Sequence, residues 1–211
     1  MLTGRNYPPV QGIRVPADAM ARLAADLLQT EGVTAEDAVF VAGLLVLNDL
    51  RCVYSHGTRT VPYYLEHFRD GSVNPRPRVR VVDEASSTTV VDGDGGLGYF
   101  PAYRAAEMTV EKAVQHGVAA ATTRNHFHIG SAGLYSRLAL EHDCIGMVMS
   151  AHRVTPDPEE MILDLARAFP LSVAMPSGEE PPIVLDMGAH LLPGQDDLME
   201  AFPRVFFKSL G

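Results

Sequence analysis

The spacing of apolar residues changes near residue 74, and this change limits the folds that the chain can adopt. Before it, the spacing is that of a helix buried on one side, as at Met20, Leu23, Ala24, Leu27 and Leu28. After it, short β-branched runs alternate with longer helical stretches. The pattern predicts an α/β protein with a helical N-terminal region, residues 1–74, and a mixed α/β core, residues 75–211.

Local signals place the individual elements. In the N-terminal region we expect a helix over residues 16–30, a buried helix capped by Thr34, and a third helix that begins after residues 55–57. In the core we expect two short strands, a helix over 99–116, a strand over 118–123, a helix ending at His142 and a strand over 145–150. Two later apolar runs flank a turn at Ser177 and predict a hairpin.

Charge and cysteine content exclude several function classes. The chain has 17 basic and 26 acidic residues, a formal charge of −9, so it lacks the basic surface that nucleic acid requires. Cys52 and Cys144 lie in apolar runs, which is typical of buried free thiols in a reducing compartment. No apolar run reaches the ~18 residues of a membrane span. We therefore expect a cytoplasmic protein without membrane or nucleic-acid partners.

A glycine-rich segment, residues 93–98, matches the G-x-G-x-x-G fingerprint of dinucleotide-binding folds. Asp94 places a negative charge where a pyrophosphate would bind, and no strand ending in an acidic residue follows about 20 residues later. We interpret the segment as a structural turn between a strand and a helix.

The S-H-G sequence at residues 55–57 is the first candidate site. Ser55 is placed to cap the third helix, and His56 lies at a junction where backbone N–H groups attract anions. Arg59, one turn away, can offer a planar pair of donors to a carboxylate. The segment predicts a carboxylate clamp with a proton donor. The alternative is an inert surface histidine.

Further histidines and one carboxylate follow predicted strands. His126 and His128 point the same way if their strand continues, which would permit a metal pair, although zinc needs three or four ligands. His152 and His190 are further candidates or exposed loop histidines. Asp186 closes a predicted strand, where it can orient an imidazole or contact a ligand, or else cap its own turn.

Four segments in order resemble one family. They are residues 50–64 with S-H-G, 92–98, 124–135 with H-I-G-S-A-G, and 181–189 with L-D-M-G. Together they are similar to the malate/L-lactate dehydrogenase family, which includes ureidoglycolate, sulfolactate and diketogulonate dehydrogenases. The resemblance implies a homodimeric oxidoreductase that uses NAD or NADP and small 2-hydroxy or 2-oxo acids, on a fold other than the Rossmann fold.

The resemblance also implies site residues. They are catalytic His56, His128 and Asp186, substrate-binding Ser55, Arg59 and Tyr64, and cofactor-binding His152, Asp186, Met187, Gly188 and Lys208. It leaves open which histidine donates the proton and which cofactor is used. Many relatives have the arginine at the position of Thr60 instead of Arg59, which leaves the clamp role open.

Relatives of this family are longer, and this sequence ends at Gly211. We therefore expect the C-terminal part of the family fold to be missing. One alternative function is a catalytically silent member that acts as a binding or assembly subunit. Another is a metal-dependent hydrolase using His126 and His128, for which we expect no metal.

Overall fold

The computed structural model describes residues 12–150 and 168–190, with side chains for 12–150 and 170–188. It has the mixed α/β architecture expected from the sequence, with helices followed by two small sheets. None of the helices within these residues is both long enough and apolar enough to cross a bilayer.

From residue 12 to residue 74 the structure has three α-helices: α1 (Ala17–Thr30), α2 (Ala35–Leu50) and α3 (Val61–Arg69). Thr34 caps α2 as predicted, because its hydroxyl accepts a 3.2 Å hydrogen bond from the Asp37 N–H. The third helix begins later than expected. Two 3₁₀ turns, Tyr54–His56 and Thr58–Thr60, come first, so the prediction that Ser55 caps this helix is wrong.

The first sheet has the strand order β1 (Arg80–Glu84), β2 (Thr88–Asp92), β3 (Ala120–Arg124). β1 pairs antiparallel with β2, and β2 pairs parallel with β3. Parallel neighbours need a crossover, and α4 (Tyr99–His116) provides it while packing on β2 and β3. Gly117 ends α4 with a φ of 83°, a conformation that glycine adopts easily.

The second sheet is antiparallel, with β4 (Gly146–Met149), β5 (Ala168–Met175) and β6 (Ile183–His190) in that order. The predicted hairpin is confirmed as β5 and β6. β6 is longer than expected, however, so Asp186 lies within the strand opposite Ser172 and does not close it.

Two further expectations need correction. The helix expected to end at His142 is only one α-helical turn, α5 (Gly133–Ser136), continued by a 3₁₀ segment, Arg137–His142. The expected burial of the two thiols is also wrong: Cys52, in the turn after α2, is exposed and Cys144 is half-buried, although both are free as expected.

The hydrophobic core joins the helical region to the segments that follow it. Leu28, Val41 and Leu45 of α1 and α2 are fully buried in one cluster with Tyr64 of α3. The same cluster includes residues from beyond residue 74, namely Leu97, Tyr99, Ile129, Leu134 and Tyr135. This shared core fixes the loop after β3 against the helices, while the domain boundary at residue 74 stays a prediction.

Candidate active site

The imidazole rings of His56 and His128 stack on each other. Their centroids are 5.4 Å apart and their planes differ by 22°. His56 ends the first 3₁₀ turn after α2, and His128 lies in the loop between β3 and α5. The Ser55 hydroxyl is 2.7 Å from His56 Nδ1. The structure therefore brings together two imidazoles, the side-chain type used most often as a general acid or base.

A buried tyrosine pair lies behind His128. The Tyr64 hydroxyl is 2.7 Å from His128 Nδ1 and 3.0 Å from the Tyr99 hydroxyl. Burial raises the pKa of Tyr64 to about 12, and burial raises the pKa of Tyr99 well above its ordinary value, so both phenols stay protonated. Tyr64 has no exposed surface. Its hydroxyl holds the His128 ring, and its predicted contact with substrate stays a prediction.

Asn48 connects the segments that carry the two histidines. This side chain of α2 is 1% exposed, and its amide donates a 2.9 Å hydrogen bond to the His56 carbonyl. Its Oδ1 accepts a 2.8 Å hydrogen bond from the Ser131 hydroxyl, three residues after His128. Because both polar ends of Asn48 are satisfied, the buried amide fixes the two segments relative to each other.

The junction at residues 55–60 binds an anion from its own chain. The Asp49 carboxylate accepts hydrogen bonds from the Thr58 N–H at 3.0 Å and the Thr58 hydroxyl at 2.6 Å. A Cβ on Gly57 would collide with the same carboxylate, so this approach needs glycine. Arg59 lies in the second 3₁₀ turn with an exposed side chain. The backbone donors expected to attract a substrate are thus partly engaged by Asp49.

The Asp186 side chain, on β6, contacts the first residue of α5, Gly133. Its Oδ2 accepts a 3.1 Å hydrogen bond from the Gly133 N–H, and a Cβ on Gly133 would collide with the carboxyl group. Burial of this carboxyl raises the pKa of Asp186, while the Gly133 hydrogen bond and the charges of His56 and Arg137 act in the opposite direction. The two side chains are therefore close enough for their charges to interact, and the orienting role of Asp186 stays a prediction.

The side chains of Asp186 and Met187 lie on opposite faces of β6, because successive side chains of a strand point to alternate faces of the sheet. A single ligand lying on the Met187 face therefore cannot also contact the Asp186 carboxylate from that face. Met187 and Gly188 are both exposed. The predicted cofactor contacts of His152 and Lys208 lie outside the described residues, as does the side chain of His190.

His126 does not share the environment of His128. β3 ends at Arg124, and Asn125 follows with a φ of 52°, so the strand does not continue as the metal-pair hypothesis required. Both His126 ring nitrogens are engaged, one with the Thr123 hydroxyl at 2.8 Å and one with the Phe127 carbonyl at 2.7 Å. Within the described ranges no group of three or more His, Cys, Asp or Glu side chains is arranged to bind a metal ion.

The glycine-rich loop at residues 93–98 contacts the histidine loop through its backbone. The N–H groups of Gly93 and Gly95 donate to the carbonyls of Arg124 and Asn125, and the Gly98 N–H donates to the carbonyl of His128. The Asp94 N–H donates to the Asp92 carboxylate. Because these donors are engaged, the loop is a structural turn that supports the site, and the fingerprint does not form a phosphate cradle here.

A groove of about 970 Å³ runs between α4, β3 and β4. Small apolar side chains form most of its wall, with His126 at one side. Neither His56 nor His128 lines this groove, so it is distinct from the histidine pair.

Asn48 and Tyr99 are the site residues that the sequence interpretation missed. Asn48 is a polar residue within the most apolar helix, and a polar side chain in such a position signals a buried hydrogen-bond network. Tyr99 directly follows the glycine-rich loop, and the sequence alone does not distinguish it from any other aromatic residue of a hydrophobic core. Only its hydroxyl contact with Tyr64 reveals its place behind His128.

Comparisons with known proteins show the family to which this chain is similar. The family described as malate/L-lactate dehydrogenase matches residues 15–191. Malate dehydrogenase of Pyrococcus horikoshii is 35% identical over 189 residues, which is 90% of this chain and 52% of that protein. L-sulfolactate dehydrogenase of Methanocaldococcus jannaschii is 40% identical over 129 residues, 61% of this chain and 38% of that protein.

A solved structure shows the same similarity in three dimensions. The structure of malate dehydrogenase from Pyrococcus horikoshii OT3 superposes with a TM-score of 0.75 at 34% sequence identity. The match covers 89% of this chain and 54% of that one. The chain therefore spans about half the length of these relatives.

Proposed function

Because this chain belongs to the malate/L-lactate dehydrogenase family, we propose that it is an oxidoreductase acting on small 2-hydroxy and 2-oxo acids with NAD or NADP. The observation that carries the proposal is the stacked pair of His56 and His128, with the Asp186 carboxylate acting on His56. A site with two imidazoles and one carboxylate suits a proton exchange at an oxygen atom.

His56 is the proposed proton carrier. In the reductive direction, the charged His56 ring gives its proton to the carbonyl oxygen of the 2-oxo acid, and the ring becomes neutral as the hydroxyl forms. In the oxidative direction the neutral ring takes that proton back. Asp186 stabilises the charged ring, and the Ser55 hydroxyl holds its Nδ1 side. Such proton transfer typically contributes 10²–10⁴-fold to the rate.

The nicotinamide cofactor, when bound, supplies or accepts the hydride at the substrate carbon. Asp186, Met187 and Gly188 of β6 are its proposed contacts among the described residues, with Asp186 and Gly188 on one face of the strand and Met187 on the other. His152 and Lys208 complete the proposed cofactor set. Arg59, whose exposed guanidinium can pair with a carboxylate, is the proposed anchor for the acid group of the substrate.

A panel assay tests the proposal. NADH and NADPH oxidation is measured with a series of 2-oxo acids and cyclic imines, and turnover with at least one acid is expected. Cofactor binding is measured separately by thermal unfolding, because a ligand at 100 times its Kd stabilises the fold by about 2.7 kcal/mol. The absence of both turnover and any thermal shift would contradict the proposal.

The alternative of a catalytically silent binding or assembly subunit gives a different result. Such a subunit shows no stabilisation with either cofactor but still associates with other chains. We also propose a homodimer in the cytoplasm, which size-exclusion chromatography with light scattering and localisation of a tagged chain test directly.

A further inference from the structure

Building on the proposed function, we infer that Arg51 and Arg137 form a subsite, beside Asp186, for a second acid group of the substrate. Arg59 remains the proposed anchor for the carboxylate next to the reacting carbon. A substrate with a second carboxylate or sulfonate is then held at both places, whereas a substrate with one acid group is held only by Arg59. The chain should therefore prefer malate to lactate.

The two arginines directly follow helical segments that contact each other. Arg51 comes immediately after α2, three residues beyond Asn48. Arg137 comes immediately after α5 and begins the 3₁₀ segment that continues it. The Asn48 side chain accepts a 2.8 Å hydrogen bond from the hydroxyl of Ser131, two residues before α5. This bond joins the end of α2 to the start of α5, so the two arginines extend from connected parts of the fold.

The guanidinium groups of Arg51 and Arg137 act on each other as like charges. Partial burial lowers the pKa of Arg51, and the charge of Arg137 lowers it further. A neighbouring carboxylate would raise this pKa, but no carboxylate of the described residues acts on Arg51 in that direction. The two cations therefore repel each other, and an anion bound beside both of them would relieve the repulsion.

Neither guanidinium forms an ion pair with a carboxylate of the residues that the structure describes. Arg69, for comparison, pairs with Glu31 at 2.6 Å. The charge of Asp186 interacts with that of Arg137, but the hydrogen bond that the Asp186 carboxyl accepts comes from the Gly133 N–H. Each arginine thus keeps its planar set of N–H donors for another partner. This geometry matches the paired oxygens of a carboxylate or sulfonate.

Asp186 connects the arginine pair to the proposed proton carrier. The charges of His56 and Arg137 both act on the Asp186 carboxyl group, so an imidazole and a guanidinium are neighbours of the same carboxyl. The Asn48 amide, in the last turn of α2 before Arg51, donates to the His56 carbonyl at 2.9 Å. A substrate whose oxygen exchanges a proton with His56 can therefore extend a second acid group toward the two arginines.

Thermal unfolding with malonate tests the subsite without cofactor or turnover. Malonate carries two carboxylates, and acetate at the same ionic strength controls for general screening by salt. We expect malonate to raise the unfolding temperature of the wild type and of Arg104→Gln, which changes an exposed arginine of α4. The shift should be lost in Arg51→Gln and in Arg137→Gln. An equal shift in every protein, or none in the wild type, would overturn the inference.

Steady-state kinetics with malate and lactate test the specificity. The two acids differ only in the second carboxylate, so the ratio of their kcat/KM values isolates its binding. Arg137→Gln should lower kcat/KM for malate by about 10–100-fold and for lactate by less than about 3-fold, because only malate loses hydrogen bonds to a charged group. Arg104→Gln should change neither value. Equal losses with both acids would assign Arg137 to the part of the substrate that they share and contradict the inference.

A double variant tests whether the two arginines bind the same group. If both contact one carboxylate, Arg51→Gln combined with Arg137→Gln should lower kcat/KM for malate by less than the product of the two single losses, because the residues share a partner. Losses that multiply fully would indicate separate places of action and contradict the single subsite.

The inference and the proposed function can fail separately. Equal kcat/KM values of the wild type for malate and lactate would contradict the inference and leave the proposed function intact. A wild type without turnover of any acid, but with a malonate shift that depends on Arg51 and Arg137, would count against the proposed function and leave the anion subsite intact. If Arg137→Gln raised the KM for NADPH and not that for NADH, the subsite would belong to a cofactor phosphate, and the inference would be wrong.

Discussion

His56 and His128 stack with their ring planes 22° apart, although one follows a helix of the N-terminal region and the other follows a strand of the core. Their segments are fixed together by the buried Asn48 side chain, which bonds the His56 carbonyl and the Ser131 hydroxyl. The pair therefore depends on the contact between the two regions, and changes on either side should disturb it.

Replacing His56 with alanine should lower kcat by 10²–10⁴-fold, because the proton carrier is lost. Folding should persist, since the His56 side chain is only partly buried and its carbonyl still accepts from Asn48. Steady-state kinetics measure the first effect and circular dichroism the second. Full activity of His56→Ala across a pH series would transfer the proton-carrier role to His128.

Asn48→Ala should destabilise the protein more than Ser131→Ala. The first variant leaves two partners, the half-buried His56 carbonyl and the buried Ser131 hydroxyl, without their hydrogen bonds, at up to about 1–3 kcal/mol for each unsatisfied group. The second leaves only the Asn48 oxygen without a donor. Urea unfolding with fitted midpoints and slopes compares them, and equal losses would show that Asn48 does not connect the two segments.

Asp186 should make the stability of the protein depend on pH in a defined direction. Because burial raises the pKa of Asp186, the folded state holds this proton to a higher pH than the unfolded chain does. The free energy of unfolding of the wild type, relative to Asp186→Asn, should therefore fall as the pH rises from about 4 through the raised value, and then level off. Urea unfolding of both proteins at several pH values measures this difference, and a rising difference would contradict it.

Two glycine-to-alanine variants should have opposite effects. A Cβ on Gly98 would lie 2.6 Å from the Phe127 carbonyl oxygen and 2.8 Å from His126 Nδ1, so Gly98→Ala should push the histidine loop away and cost about 1–3 kcal/mol. Gly43, within α2, has open space at the Cβ position. Gly43→Ala should stabilise the helix by about 0.5–1 kcal/mol. Thermal unfolding measures both, and a neutral Gly98→Ala would show that the close approach of the two loops is not required.

Much of the architecture follows from local patterns. The one-sided spacing of α1, the Thr34 cap of α2 and the turn that joins β5 to β6 were predictable, because each depends on neighbours in the sequence. The predictions were wrong where contacts with another element of the fold, and not the local sequence, decide the structure. The local sequence predicts Ser55 as the cap of the third helix. In the structure the Thr58 N–H and hydroxyl donate to the Asp49 carboxylate of the preceding helix, and α3 begins only at Val61.

By itself, the sequence determined the order of helices and strands and the chemical types near the site, including His56, His128 and Asp186. Only the tertiary structure decided which of those groups meet, since contacts between distant segments depend on how the core packs. It placed the Tyr64 hydroxyl against His128, and it separated His126 from the pair. Hydrogen bonds and burial act through space, so an imidazole takes its chemical character from neighbours that the order of residues does not reveal.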